Sequence, residues 1–352
     1  MTDITDSERR KNDVLGAIID LHVATAEPVG SEAICRRLGQ HVSSATIRNV
    51  MAKLEEEGLL VQPHTSAGRV PTNRGYRYYV DSLMQQMRMS AEEGQRIAQA
   101  LSPAEGQLDV LLERVSALLS QLSQQTAFVI APSLRSSAIK HVELVPLSPR
   151  RLLCVLMGQE PCVASHIIDI EEPISRDEAV ALANFFNAEL TGLPADELLS
   201  VLERRLLDAS DSFYHMIKRS LAILQEALAT EPEARLYIEG ARHLFEQPEF
   251  RKDPHKAHEL LRQLELRQAL MERVRADLQQ PRWCVRIGDE VDIDGMEECS
   301  YILAAFGVPD AVLGGIGVLG PRRMDYRRMV ALVDGMVHLV SDALAQRGHG
   351  SR

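Results

Sequence analysis

Between residues 31 and 84 apolar positions recur at helical spacing in three successive runs, with polar punctuation between them. The pattern predicts a short helix capped by Ser31 and running through Leu38, a flexible turn at Gly39, and a second helix. Ser43 or Ser44 is expected to cap that second helix, which runs toward Glu57 and stops at Gly58. Its Ile47, Val50, Met51 and Leu54 fall three, four and seven apart and so share one buried face. The other side is left to Ser44, Ala45, Arg48, Asn49, Ala52 and Lys53, and no acid occurs from His41 to Leu54. Leu59-Leu60-Val61 then leads through Pro63 into a polar hairpin, His64 to Pro71, where Gly68 is expected to make a left-handed turn. Thr72 caps a third helix with Tyr76, Tyr79, Val80, Leu83 and Met84 on its apolar face, which should pack back on the first two.

Further along, Ser90 with Glu93 and Ser102 with Glu105 have the form of capping boxes. Leu108, Leu111, Leu112, Val115, Leu118, Leu119 and Leu122 make an apolar stripe, read as a connector or, equally, as ordinary core packing. Short apolar segments at Ala127 to Ile130, Val142 to Val145, Arg151 to Met157 and Val163 to Ile170 read as strands of an antiparallel sheet. From Ser175 to about Ala229 the period turns helical, with Leu198, Val201, Leu202 and Leu206 in register. A strand at Arg235 to Glu239 and more helical segments precede strands at Trp283 to Ile287, Tyr301 to Phe306 and Ala311 to Leu319. Helices between two sets of strands indicate an insertion. A helix from Met324 to Leu344 closes the pattern.

A helix-turn-helix followed by a polar hairpin is the layout of a winged-helix DNA reader, whose second helix enters the major groove. There Arg can clamp a guanine edge and Asn an adenine edge. The candidate DNA-binding residues are Ser43, Ser44, Thr46, Arg48, Asn49 and Lys53 on the helix, and His64, Thr65, Ser66 and Arg69 on the wing. Arg74 and Arg77 complete the set, with solvation or pairing to Glu55, Glu56 or Glu57 as the alternative for these two.

A net charge of −11 over 352 residues is unexpected for a ligand of DNA, but it is unevenly spread. Residues 1–90 hold 11 basic and 11 acidic side chains, and the remainder 28 basic and 39 acidic. Gly58 to Val80 contains three arginines and no acid, so a basic surface survives where phosphate contact is expected. An acidic body disfavours nonspecific binding and leaves affinity to a few positioned contacts.

Ser44-Ala45-Thr46-Ile47-Arg48-Asn49, followed by Pro63-His64-Thr65-Ser66-Ala67-Gly68-Arg69-Val70-Pro71-Thr72, resembles the heat-inducible transcription repressor family HrcA. Ile287-Gly288-Asp289-Glu290 and Gly320-Pro321-Arg322-Arg323-Met324-Asp325-Tyr326 resemble that family's carboxy-terminal motifs, with Arg322 standing where Thr is expected. The resemblance implies an α+β protein: a winged-helix domain (1–88), a helical connector (89–125), a GAF-like α/β body with an antiparallel sheet in two parts (126–174 and 281–345), an inserted, mostly helical dimerisation domain (175–280) and a disordered tail (346–352). It also implies a homodimeric repressor on an inverted-repeat operator before chaperone operons, inactivated by heat and maintained by a GroEL-type chaperonin. The alternative is a winged-helix regulator whose GAF-like domain senses a metabolite.

Other chemistry is not indicated. Hydrophobic residues make up 45% of the chain, enough for sizeable cores, and no apolar stretch nears the roughly 18 residues of a membrane span, so a cytoplasmic location is expected. The five cysteines show no disulfide or zinc spacing, and Cys154, Cys162 and His166 lack a fourth ligand. Gly315-Ile316-Gly317-Val318-Leu319-Gly320 matches a dinucleotide pattern, but the chain after it reads as helix, so strand glycines that allow close packing are preferred. No enzymatic activity, cofactor or metal is expected.

Overall fold

The computed structural model describes residues 6–39, 43–64, 67–85, 87–101, 108–131, 134–136, 138–158, 163–189, 192–193, 195–207, 211–229, 235–251, 253, 255, 258–260, 262, 268–278, 282–308 and 311–349. Helices alternate with antiparallel sheets along the chain, an α+β architecture. The chain divides into two compact units, Met1–Val129 with Tyr237–Ser341 and Ile130–Leu236 with Asp342–Arg352.

The first unit begins with α1 (Asp6–Thr25), an element absent from the pattern read above. Its Val14, Leu15, Ile18 and Ile19 were legible as apolar positions at helical spacing, and all four are buried. With α2 (Ser31–Leu38) and α3 (Ser44–Glu56) it forms a three-helix head around Leu15, Ile18, Ile34, Ile47 and Leu54, all fully buried. Strands β1 (Leu60–Val61) and β2 (Val70–Pro71) pair antiparallel, Leu60 opposite Pro71 and Val61 opposite Val70. Next, α4 (Asn73–Tyr78) is capped by Thr72, which accepts from the Gly75 N–H, and continues as a wider turn through Leu83.

After α5 (Ala91–Leu101), whose Ser90 and Glu93 make the expected capping box, α6 (Leu108–Ser123) packs against the sheet of this unit. The α6 leucine stripe is therefore core: Leu111, Leu112, Val115 and Leu119 are fully buried. Five strands lie in the order β7 (Arg235–Glu239), β3 (Thr126–Ala131), β10 (Ala311–Pro321), β9 (Cys299–Val308), β8 (Cys284–Ile287), with β8–β9 and β9–β10 antiparallel. Buried Asp277, at the end of the helix Gln268–Asp277, accepts from Arg286 and the Tyr301 hydroxyl, and these two outweigh burial to hold its carboxyl below the ordinary value. The glycines of β10 sit inside the strand, as the packing reading requires. A Cβ on Gly317 would lie 2.4 Å from the Phe128 ring and 2.5 Å from the Ile302 carbonyl oxygen.

The second unit is a meander of β4 (Ile139–Ser148), β5 (Arg151–Gly158) and β6 (Val163–Asp169), followed by α7 (Arg176–Glu189), α8 (Ala195–Leu207) and α9 (Asp211–Ala229). Its core joins Leu144, Leu152, Leu156 and Ile168 of the sheet to Leu182, Phe186, Leu198, Leu202 and Leu224 of the helices. The division expected at 126–174 and 175–280 is corrected accordingly. Strands adjacent in sequence and separated by only a few residues pair with each other more readily than with distant strands, so β4 to β6 form their own sheet. Among the described residues only β3 joins the strands of the carboxy-terminal third, and the segments α10 (Ala241–Phe245), α11 (Pro248–Arg251) and Gln268–Asp277 belong to the first unit. Cys154 lies opposite His166 across β5 and β6, and burial pushes its thiol up to about 12. Cys162 and the box at Ser102 to Glu105 fall outside the described residues.

Gly317→Ala should lower the thermal midpoint of the full chain, by the equivalent of about 1 to 3 kcal/mol of overpacking, because one obstructing atom is backbone. Gly16→Ala, with nothing within 4 Å of its new Cβ, should raise the midpoint slightly, since alanine is the better helix former by about 1 kcal/mol. Differential scanning calorimetry of both variants checks the contrast.

Candidate nucleic-acid interface

Helix α3 is presented by its own first turn. Ser43 is the cap: its hydroxyl accepts from the Thr46 N–H at 3.1 Å and lies 2.9 Å from the Thr46 hydroxyl. Gly58, at φ +73°, ends the helix, and the Leu59 N–H returns to the Leu54 carbonyl. Ile47, Met51 and Leu54 face inward, with Val50 half-buried. Ala45, Arg48, Asn49, Ala52 and Lys53 are exposed together, and Ser44 and Thr46 are half-buried at the edge of that face. The side expected to enter a groove is thus one continuous, acid-free surface among the described residues.

Ser31 does not cap α2. Gly30 holds the cap position with no side-chain bond, and the Ser31 hydroxyl instead lies 2.9 Å from the Ser44 hydroxyl and accepts from Arg48 Nε at 3.3 Å. A residue type read as a cap therefore tethers the base of the Arg48 guanidinium. Only packing of α2 against α3 brings the two together, so nothing in the sequence spacing announced it.

The hairpin also differs in part from expectation. Gly68 has no positive φ; it is needed because its backbone meets that of Val29, where a Cβ would lie 2.4 Å from the carbonyl carbon and oxygen. Reciprocal bonds of 2.9 Å between Arg69 and Val29 hold that approach. His64 is exposed, while Thr65 and Ser66 lie outside the described residues. Arg69 was expected to face phosphate, but its Nε donates to Glu55 at 2.8 Å. Lys11 likewise holds Glu57 at 2.8 Å, a hydrogen bond that outweighs burial and raises the lysine's pKa. Two of the three acids that close α3 are thereby neutralised beside the exposed face.

Arg74 is exposed with no ion pair among the described residues, whereas Arg77 is turned the other way. Its guanidinium donates to Glu290, to Asp81 at 3.2 Å and to the Val285 carbonyl at 2.6 Å. Burial would lower its pKa, but Glu290 and then Asp81 reverse this and raise it. The partner is a distant acid of the same unit, not Glu55 to Glu57, so Arg77 is removed from the candidate set.

Comparison with known proteins identifies the family. The family model for the HrcA protein C terminal domain matches residues 109–330. The chain is 37% identical over 344 residues to a heat-inducible transcription repressor HrcA of Geobacter sulfurreducens, covering 98% of this chain and 99% of that one. It is 35% identical over 343 residues to one from Pelotomaculum thermopropionicum, covering 97% and 98%. A crystal structure of a hypothetical protein, 22% identical, superposes with a TM-score of 0.57 over 98% of this chain and 99% of that chain, which speaks for the fold alone. The class these define is that of the transcription repressors. Within it, the chain belongs to the HrcA family.

Ser43→Ala should cost α3 about 1 kcal/mol, the usual worth of a lost cap. Amide exchange at Thr46 and Ile47 should then speed up about fivefold in hydrogen-exchange NMR, while α1 amides keep their rates.

Proposed function

We propose that this protein is a winged-helix repressor that binds a double-stranded inverted-repeat operator as a homodimer and blocks transcription of chaperone operons in the cytoplasm. The observation that carries the reading is the exposed, acid-free face of α3 with Arg48, Asn49 and Lys53 side by side. Arg48 and Asn49 read base edges; Ser43, Ser44, Thr46, Lys53 and Arg74 meet phosphate; and His64, Thr65 and Ser66 form the wing contacts. Arg69 serves the wing by holding Glu55 away from the backbone of the DNA. Among the described residues no helix is long and apolar enough to cross a membrane.

The five-stranded sheet and its helices are the GAF-like body, and the second unit is the dimerisation insert. The outer face of its sheet carries Val145, Leu147, Met157, Val163 and Ile167, with Val163 65% and Ile167 60% exposed. A row of that kind on one face needs a cover. The helical leucines Leu198 and Leu202, by contrast, are consumed in the unit's own core. In this reading heat inactivates the repressor and a GroEL-type chaperonin rescues it, as the family resemblance implies. The first unit is built from two stretches of chain separated by about a hundred residues, and such non-local contacts fold slowly and expose apolar surface on the way.

A metabolite-sensing reading has one observation behind it: a cavity of about 740 Å³ in the first unit, lined by Trp283, Ala304, Val330, Ala331 and the stem of Met89. Arg88, Arg282, Asp334 and His338 also line it, and all four are exposed, so the charged groups at this cavity stay in contact with water.

Footprinting on chaperone-operon promoters is expected to show protection of two half-sites. Arg48→Ala should relax base preference and weaken binding by about 1 to 3 kcal/mol, while Lys53→Ala should weaken all sequences alike and reduce the salt slope by about one. Equal affinity and selectivity in both variants refutes the assignment of α3. Operator binding should fall after a mild heat step and return with chaperonin and ATP; survival of heating together with a response to a metabolite would favour the sensing reading.

Ile167→Asp should shift the chain from dimer to monomer in ultracentrifugation and remove footprints on both half-sites, leaving thermal stability of the first unit unchanged. A charged outer face that stays dimeric means dimerisation lies elsewhere.

A further inference from the structure

The motifs Asn73 to Arg77, Ile287 to Glu290 and Gly320 to Arg327 have no place on the exposed face of α3, yet within the first unit they converge on one seam. At its centre the rings of Tyr76 and Tyr326 pack at 5.9 Å, both nearly fully buried. Around them, Arg77 clamps Glu290, and Asn73 donates to Asp289 at 2.9 Å while accepting from Arg322 at 2.9 Å. Arg323 holds Glu249 together with Gln247 and donates to the Val23 carbonyl, and Arg327 reaches Asp20 at 3.0 Å. The acceptor Glu290 is itself oriented, since its carboxylate also receives the Ile287 N–H. At Gly288 a Cβ would lie 2.4 Å from the Asn73 amide, so the loop is bare where α4 rests on it.

Every head group in the seam comes from α1 or α4. None comes from α3, whose Arg48, Asn49 and Lys53 stay exposed. A buried aromatic centre alone permits rotation; planar guanidinium forks on carboxylates, spread around it, do not. A clamp of that kind contributes nothing to a single head's affinity for a half-site, but it determines where that head points when a second head must be reached at the same time.

Resting on the function proposed above, we propose that Asn73, Arg77, Glu290, Arg323 and Arg327 are positioning residues that fix the head on the body and thereby set the half-site spacing the dimer accepts. They act through head orientation and touch no base.

The test uses full-length Arg77→Ala, Glu290→Gln and Arg327→Ala, the last at the opposite end of the seam with the Arg77 clamp intact. Probes are duplexes carrying the inverted repeat footprinted with the wild type, the same repeat with its spacer changed by one to five base pairs, and a single half-site. Wild type should prefer one spacing by at least tenfold. The variants should lose about tenfold on that spacing, keep half-site affinity within twofold and lose the spacing preference, while 15N relaxation shows the head tumbling faster than the sheet. Glu290→Gln, which keeps a hydrogen bond, should fall between wild type and Arg77→Ala. An unchanged spacing preference in both arginine variants overturns the proposal, as does an equal loss on half-site and full repeat, which would make Arg77 a DNA contact. A wild type that treats inverted repeat and half-site alike overturns the operator reading itself, a result distinct from either. If Arg77→Ala fails to fold, Arg327→Ala decides by the same readouts.

Discussion

Arg77 and Glu290 stand 213 residues apart in sequence and meet in a bidentate, partly buried pair, which joins the head to the sheet of the first unit. Charges taken out of water are costly unless geometry and further hydrogen bonds compensate them. Here they do: Arg77 also reaches Asp81 and the Val285 carbonyl, and Glu290 also accepts from the Ile287 N–H. Such an arrangement tolerates few alternatives. The head is held by directional contacts rather than by apolar area alone, which suits a part whose orientation matters more than its adhesion.

The same economy of charge shapes the exposed face. An acidic chain can present a basic surface only if nearby carboxylates are neutralised, and the closing turn of α3 brings Glu55, Glu56 and Glu57 close to it. Arg69 and Lys11 take two of these. Six cations of the head thus divide by what they face: Arg69, Arg77 and Lys11 work inward, and Arg48, Lys53 and Arg74 are left exposed. In the second unit the corresponding asymmetry is apolar, with one sheet face filled by α7 to α9 and the other left carrying Val163 and Ile167.

Much of this was legible locally. The period of Ile47, Met51 and Leu54, the cap at Ser43, the stop at Gly58, the box at Ser90 and Glu93, and the strands β4, β5 and β6 depend on neighbours a few residues away, which a linear reading captures. The exposed side of α3 was legible for the same reason: it is what the buried period leaves over. Helix α1 was equally legible, in the helical spacing of Val14, Leu15 and Ile18.

What only the tertiary structure decided concerns partners. Arg69, Arg74 and Arg77 look alike in sequence, yet one pairs with Glu55, one is exposed and one is locked to Glu290, because each helix or strand turns a different side to its neighbours. Ser31 looks like a cap and serves Arg48. Gly68 looks like a turn and is a close backbone approach to Val29. Short apolar segments likewise show that β3 and β4 are strands but not that they enter different sheets, since such a segment records burial and not what buries it. The sequence by itself determined the elements and their apolar faces through short-range spacing. Pairing, sheet membership and the seam rest on contacts between residues tens to hundreds of positions apart, and no local spacing encodes these.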